Sequence, residues 1–317
     1  MRAIQITKFG GPETLVVRDL PEPTPSENQQ VFPVLAAGVN YADTHQTEDS
    51  YLAKQTLPLI PGSEVVVRNA SGQRLVGLVG SGGYAQRVAA EPQMMFEVPE
   101  SVSDAQALTT LVQGATAWHL LRTSTHLQPG ETVVVHAGAG GVGTLAIQLA
   151  KRWGAGRVIA TASSEQKRAL TLELGADVAV DSRAGDLTTV LREANEGRAV
   201  DVVLEMTGGP VFDQSLAALA PLGRLAVFGM ASRTAAAPVD PARLMSRSTA
   251  VIGFWLMHIV ARPQLMAAAV TDLMGLIADG SIRPVLGDTY SLDGAADAHR
   301  ALLDRSSVGK LIIDPQA

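Results

Sequence analysis

Two periodicities divide the chain. Up to about residue 110, short runs of alternating apolar and polar residues predict strands at Ala3–Thr7, Thr14–Asp19, Gln30–Ala37, Val65–Asn69, Arg74–Val79 and Ala85–Ala89. Proline-rich punctuation such as Leu20-Pro-Glu-Pro-Thr-Pro25 separates them, and Asn69-Ala-Ser-Gly72 reads as a hairpin turn. From about residue 111, strands of buried type alternate with helices. The strands are Thr132–Ala137, Val158–Ala162, Val178–Asp181, Val200–Glu205 and Arg224–Phe228, with helical stretches over Val142–Trp153, Glu165–Gly175, Asp186–Asn195 and Phe212–Ala220 between them. In the first helix Val142, Leu145, Ala146, Leu149, Ala150 and Trp153 fall on one face. A sixth strand, Thr249–Leu256, precedes a helix over Pro263–Gly280, and Val308–Asp314 reads as a last strand. Strand–helix alternation of this kind predicts an α/β fold with a doubly wound parallel sheet. The breaks in pattern divide the chain into residues 1–110, 111–256 and 257–317.

Size supports more than one core, because 317 residues exceed the length at which single cores usually split. Hydrophobic residues at 46% and charged residues at 18% suit a soluble globular enzyme. A formal charge of −6 lacks the basic footprint of a nucleic-acid binder, so no nucleic-acid partner is expected. No apolar run reaches the ~18 residues of a membrane span. The start, Met1 to Lys8, enters strand-like alternation directly, so no signal peptide is expected either. Without cysteine there are no disulfides, thiolate zinc sites or thiol nucleophiles, and a cytoplasmic setting is the default.

The candidate chemistry begins at Thr132-Val-Val-Val-His-Ala-Gly138-Ala-Gly140-Gly-Val-Gly143. Gly138, Gly140 and Gly143 fall at G-x-G-x-x-G spacing between a strand and a helix, the context that marks a dinucleotide site. The first glycine is expected to allow a tight turn, the second to let a pyrophosphate approach bare backbone, and the third to let helix and strand pack closely. The helix start then offers unpaired N–H groups to the phosphates. An acidic residue closing the second strand would favour NAD by binding the ribose 2′-OH. That strand ends instead in Ser163-Ser164, followed by Lys167 and Arg168, which leaves room and positive charge for a 2′-phosphate; NADPH is therefore expected. Glu165 reads as a dipole partner of the next helix, which Ser163 is expected to cap in a box with Gln166.

With these residues assembled, the chain resembles the medium-chain dehydrogenases/reductases of the zinc-independent quinone oxidoreductase group, which includes zeta-crystallin. The resemblance runs nearly end to end. Its carriers are Ala36-Ala-Gly-Val-Asn-Tyr-Ala-Asp-Thr44, Pro61-Gly-Ser-Glu64, Leu111-Val-Gln-Gly-Ala-Thr-Ala117, the glycine turn, Leu174-Gly-Ala-Asp177 and Gly309-Lys-Leu-Ile-Ile-Asp-Pro315. It implies a Rossmann nucleotide-binding domain beside a GroES-like β-rich catalytic domain built from the N-terminal part and the C-terminal tail. It also implies a homodimer formed through the sixth strand, around Val251–Leu256. Zinc-dependent relatives carry a ligand cysteine where this chain has Asn40, and a His-Glu pair where it has Ser63-Glu64. No metal is therefore expected, since a catalytic zinc needs three protein ligands. His45 beside Asp43 is read as a surface or hydrogen-bonded histidine.

The same resemblance assigns Asn40 and Asp43 to the nicotinamide, with a turn residue and a helix cap as their plain readings, and makes Tyr51 a candidate proton donor. It assigns Thr116 to the nicotinamide side, Val142 to the pyrophosphate, and Phe228, Gly229 and Phe254 to the nicotinamide through backbone groups. Lys310 is expected near the 2′-phosphate or the cleft. Three departures stand out: Asp181-Ser182 where many members have Asn-Tyr, a shortened Glu64–Gly83 segment, and Gly253-Phe-Trp-Leu256, which is similar to enoyl-thioester reductases. The expected function is metal-free, NADPH-dependent reduction of a small-molecule quinone or other α,β-unsaturated carbonyl, hydride adding to an already electrophilic acceptor. An enoyl-thioester reductase with the same machinery and a non-catalytic NADPH- or RNA-binding role are the alternatives.

Overall fold

The computed structural model describes residues 1–50 and 52–317, so Tyr51 lies outside the described residues. The chain forms two compact units, one made of Met1–Val112 with Val270–Ala317 and the other of Gln113–Ala269. The second boundary falls inside a helix, about a dozen residues later than the pattern break at 257.

The discontinuous unit is built on β-strands. These are β1 (Arg2–Gln5), β2 (Val16–Asp19), β3 (Gln30–Val39), β4 (Glu64–Arg68), β5 (Arg74–Leu78), β6 (Arg87–Ala90), β7 (Met95–Glu97), β14 (Leu286–Ser291) and β15 (Lys310–Asp314). β1 and β2 pair with each other, and the larger sheet runs β14-β15-β3-β4-β5-β7, with β6 on β3. The β4–β5 hairpin turns through Asn69–Gly72, where Gly72 adopts φ +87°, a conformation that needs no side chain. Alternate positions point inward, so Phe32, Val34, Val65, Val67, Leu311 and Ile313 meet Ile4, Ile6 and Tyr84 in one core. Three helices were not evident in the apolar pattern: α1 (Tyr41–Glu48), α2 (Asp104–Leu108) and α11 (Ala295–Leu303). The α1 sequence, Tyr-Ala-Asp-Thr-His-Gln-Thr-Glu, has no apolar stripe, and its start is set by Asn40 and Asp43 rather than by periodicity.

The other unit is a doubly wound parallel sheet. Its strands are β8 (Thr132–Val135), β9 (Arg157–Ala162), β10 (Val178–Asp181), β11 (Val200–Glu205), β12 (Leu219–Val227) and β13 (Ala250–Gly253), in the order β10-β9-β8-β11-β12-β13. This is the Rossmann order, with its reversal between β8 and β11. Helices α4 (Gly141–Arg152), α5 (Glu165–Glu173), α6 (Leu187–Ala194), α7 (Gly209–Ala218) and α8 (Pro241–Met245) connect successive strands. Short α3 (Thr116–His119) and α9 (Met257–Val260) flank the sheet in sequence, and α10 (Pro263–Ala278) begins in this unit and ends in the other. All four β8 residues are buried, as the β-branched run requires. Val134, Ile159, Val203 and Leu225 from adjacent strands pack with Leu187, Leu191, Phe212 and Leu216 of α6 and α7.

Candidate functional site

In open parallel sheets ligands bind beyond the carboxyl ends of the strands, where the strand order reverses. Here that edge carries the glycine turn after β8. Gly138 N–H donates to Thr161 O at 2.9 Å and Gly140 N–H to Ala137 O at 2.9 Å, closing the turn. The left-handed residue is Ala137, at φ +50°, so Gly138 does not supply the tight bend expected of it. Its lack of a side chain serves packing instead: a Cβ would lie 2.9 Å from Thr171 Cγ2 and 3.0 Å from Ala160 Cβ. At Gly143 a Cβ would strike Ala137 O and come within 2.7 Å of Gly138 Cα, which is the close helix–strand approach expected. Gly140 is the N-cap of α4, and no side chain caps that helix. Among the described residues its first-turn N–H groups, including that of Val142, have neither an intrahelical nor a side-chain partner, and the dipole end is positive. That arrangement suits a pyrophosphate.

Next along the edge, β9 ends at Ala162, whose partner in β10 is Asp181. Ser163 bridges strand and helix, and Ser164 rather than Ser163 caps α5, accepting from Lys167 N–H at 3.3 Å. The expected Ser163–Gln166 box does not form: the cap lies one residue later, at Ser164, as a single hydrogen bond. Ser163, Ser164 and Lys167 are half-buried, and burial pushes the Lys167 pKa down. Arg168 is held by Asp181 at 3.3 Å and Asp181 also binds Arg183, so the Asp-Ser departure places a carboxylate between two guanidinium groups. Beyond β11, the buried Glu205 carboxylate accepts from Thr207 N–H at 2.7 Å and Gly208 N–H at 3.0 Å, fixing the β11–α7 turn; burial raises its pKa. Phe228 and Phe254 directly follow β12 and β13. Their N–H groups donate to Glu205 O at 2.9 Å and Val227 O at 2.8 Å, so only other backbone atoms of these residues and of Gly229 remain open to a ligand. Thr116, 7% exposed, opens α3.

The β-rich unit gathers a second group of polar side chains. Asn40, between β3 and α1, receives the Lys310 ammonium on Oδ1 at 2.9 Å and donates from Nδ2 to Glu64 Oε1 at 2.8 Å. Lys310 and Glu64 form a direct ion pair, and both are fully buried. Glu64 Oε2 also accepts from Val112 N–H at 3.1 Å. Gly38 makes this possible, since a Cβ there would lie 2.7 Å from Lys310 Nζ. Asp43 accepts from Asn40 N–H at 2.8 Å and from the Tyr84 hydroxyl at 2.9 Å. Tyr84 stands 3.2 Å from His299 Nε2. Burial pushes the Asp43 carboxyl up to about 6, against the Asn40 and Tyr84 hydrogen bonds and Lys310, which lower it. Burial likewise holds His299 down to about 4 and raises Tyr84 well above its ordinary value.

These contacts locate three of the expected site residues. Lys310, expected near the 2′-phosphate or the cleft, lies fully buried with its ammonium on Glu64 and Asn40. Asn40 and Asp43 start α1, Asn40 N–H donating to the Asp43 carboxylate, and both hydrogen-bond to other residues of this unit. Tyr51 falls outside the described residues. Tyr84 and His299 were not singled out from sequence, where nothing in Gly83-Tyr-Ala-Gln86 or Asp297-Ala-His-Arg300 marks them, whereas Glu64 entered only as half of an altered ligand pair.

The donor set does not fit zinc. Among the described residues no three His, Cys, Asp or Glu side chains converge, and Glu64 already faces an ammonium. His45 is buried and hydrogen-bonded to Ser50 Oγ at 2.8 Å. No helix of the described residues is long and apolar enough to cross a membrane.

Residues 141–272 match the family model described as zinc-binding dehydrogenase, a description at odds with the donor set above. The human quinone oxidoreductase is 30% identical over 99% of this chain and 97% of its own. The quinone oxidoreductase from Thermus thermophilus, solved alone and with NADPH, is 38% identical with a TM-score of 0.89, over 99% of this chain and 100% of that one. The Escherichia coli quinone oxidoreductase complexed with NADPH is 29% identical with a TM-score of 0.91, over the same shares. Fold, end-to-end identity and glycine turn agree: the chain belongs to the quinone oxidoreductase group of the medium-chain dehydrogenase/reductase superfamily.

Proposed function

We propose that the protein is an NADPH-dependent, metal-free reductase of quinones or other α,β-unsaturated carbonyls, a cytoplasmic homodimer formed through β13, the edge strand of its sheet. The observation that carries this reading is the uncapped α4 N-terminus behind Gly138–Gly143 at the reversal point of the sheet, beside Ser163, Ser164 and Lys167. The α4 N–H groups would bind the pyrophosphate. Lys167 would meet the 2′-phosphate, where an added negative charge offsets the burial of its ammonium. Bound NADPH supplies a hydride. Thr116, Phe228, Gly229 and Phe254 would orient the nicotinamide, and Tyr51 would donate the proton that completes reduction. Quinones and enones are the substrate class because they accept hydride without a Lewis acid, and the described residues assemble no zinc donor set that would supply one.

Steady-state rates with 1,4-benzoquinone, 9,10-phenanthrenequinone, simple enones and enoyl thioesters, each with NADPH and with NADH, test the reading. NADPH turnover of quinones or enones is expected. A thioester preferred by orders of magnitude in kcat/KM would transfer the assignment to enoyl-thioester reduction, and no turnover of any acceptor would end it. Lys167→Ala is expected to weaken NADPH about tenfold, the loss of one charge-assisted hydrogen bond, and to leave NADH unchanged.

A further inference from the structure

The segment leading into the Rossmann unit carries a polar group that the fold leaves unserved. Gln113 lies in a π-helical stretch, Thr110–Ala115. Such turns are rare and recur at functional sites. Its side chain is only 8% exposed, and its Oε1 has no hydrogen-bond partner among the described residues. The amide lies directly over Gly141, since a Cβ on that glycine would collide with Gln113 Cδ, Oε1 and Nε2. Gly141 is the first residue of α4, the helix whose N-terminus is uncapped. A buried, unpaired amide oxygen and a first turn of unpaired N–H groups therefore sit side by side. Both lack a partner among the described residues, and one ligand would satisfy both.

We infer that Gln113 is a cofactor-binding residue whose amide hydrogen-bonds the dinucleotide received by the glycine turn. Oε1 accepts a hydrogen bond from a ribose hydroxyl or the carboxamide, the donors a dinucleotide carries besides its acceptor-only phosphates. Gly141 thereby has a role of its own: it leaves the volume that the amide fills. An amide suits the position, whereas a carboxylate of the same shape would repel the phosphates. The inference rests on the NADPH reading above.

The test is the dissociation constant for NADPH, by titration calorimetry, together with the melting temperature of the cofactor-free protein, for wild type, Gln113→Leu and Gln113→Glu. Gln113→Leu is expected to raise Kd up to about tenfold, the worth of one hydrogen bond. Its cofactor-free melting temperature should be unchanged or higher, because the unserved acceptor is gone. Gln113→Glu should raise Kd further, and more at pH 8 than at pH 6, as the carboxylate ionises beside the phosphates. A Gln113→Leu Kd within twofold of wild type would overturn the inference while leaving NADPH as cofactor. So would a melting temperature lowered by several degrees in both variants, which would make the amide a structural group. A wild-type protein that does not bind NADPH would instead overturn the cofactor reading, and this inference with it.

Discussion

Lys310→Met isolates the energetics of the buried ion pair. In the wild type, Glu64 and Lys310 are both fully buried, and Asn40 bonds each of them. Taking the ammonium away leaves a carboxylate with two neutral donors, Asn40 Nδ2 and Val112 N–H, and no counter-charge. Breaking one side of a buried pair costs about 3–5 kcal/mol, because the remaining charge stays desolvated. At about 2–4 °C per kcal/mol for a domain of 150–250 residues, the melting temperature should fall by roughly 10 °C. One control separates electrostatics from lost packing. In Lys310→Met combined with Glu64→Gln, the stranded charge is gone, and most of the lost stability should return. Calorimetry of the single and double variants reads the difference. A single variant within a degree of wild type, or a double variant as unstable as the sum of the two singles, would refute the reasoning.

Gly143→Ala should disrupt the glycine turn: its Cβ meets backbone, Ala137 O and Gly138 Cα, which cannot swing aside. The expected result is loss of NADPH binding and a lower melting temperature; binding at wild-type strength would show that the turn yields. The acid response of the Rossmann unit is set in part by His136, buried between Thr161 and Ser215 and held down to about 4 by burial. Its folded value lies below the ordinary 6.5, so the unfolded chain binds the extra proton between pH 6.5 and 4 and stability is lost as pH falls through that window. From pH 6.5 to 5 this amounts to about 1.5 kcal/mol. His136→Gln should flatten that slope in denaturant titrations, and an unchanged slope would reject the assignment.

The Rossmann unit was legible because its signals are local. The Val-rich run of β8, the glycines after it and the apolar face of α4 lie within about two dozen residues of one another, and the strand order follows from alternation. Details set by single residues were less so: the left-handed bend belongs to Ala137, and the cap of α5 lies at Ser164. The polar group of the other unit was not legible. Asn40, Glu64 and Lys310 come from three distant stretches, joined when β15 inserts beside β3. A lysine followed by Leu-Ile-Ile reads equally well as a surface charge preceding a strand, so only the pairing discloses its burial. Gln113 sat unnoticed within Leu111–Ala117, where the one available signal was a lone amide in an otherwise apolar and small-residue run.

The chain order of that ion pair constrains biosynthesis. Glu64 leaves the ribosome long before Lys310, with the whole nucleotide-binding unit made in between. During that interval the N-terminal strands hold a carboxylate with no cation, and β3 lacks its neighbour β15. The inserted unit, continuous in sequence, can complete its own sheet before the other unit has all of its strands. Truncations that remove β15 would therefore do more than trim a terminus: they would leave an open strand edge and an orphan charge in the nascent sheet, a form prone to aggregate.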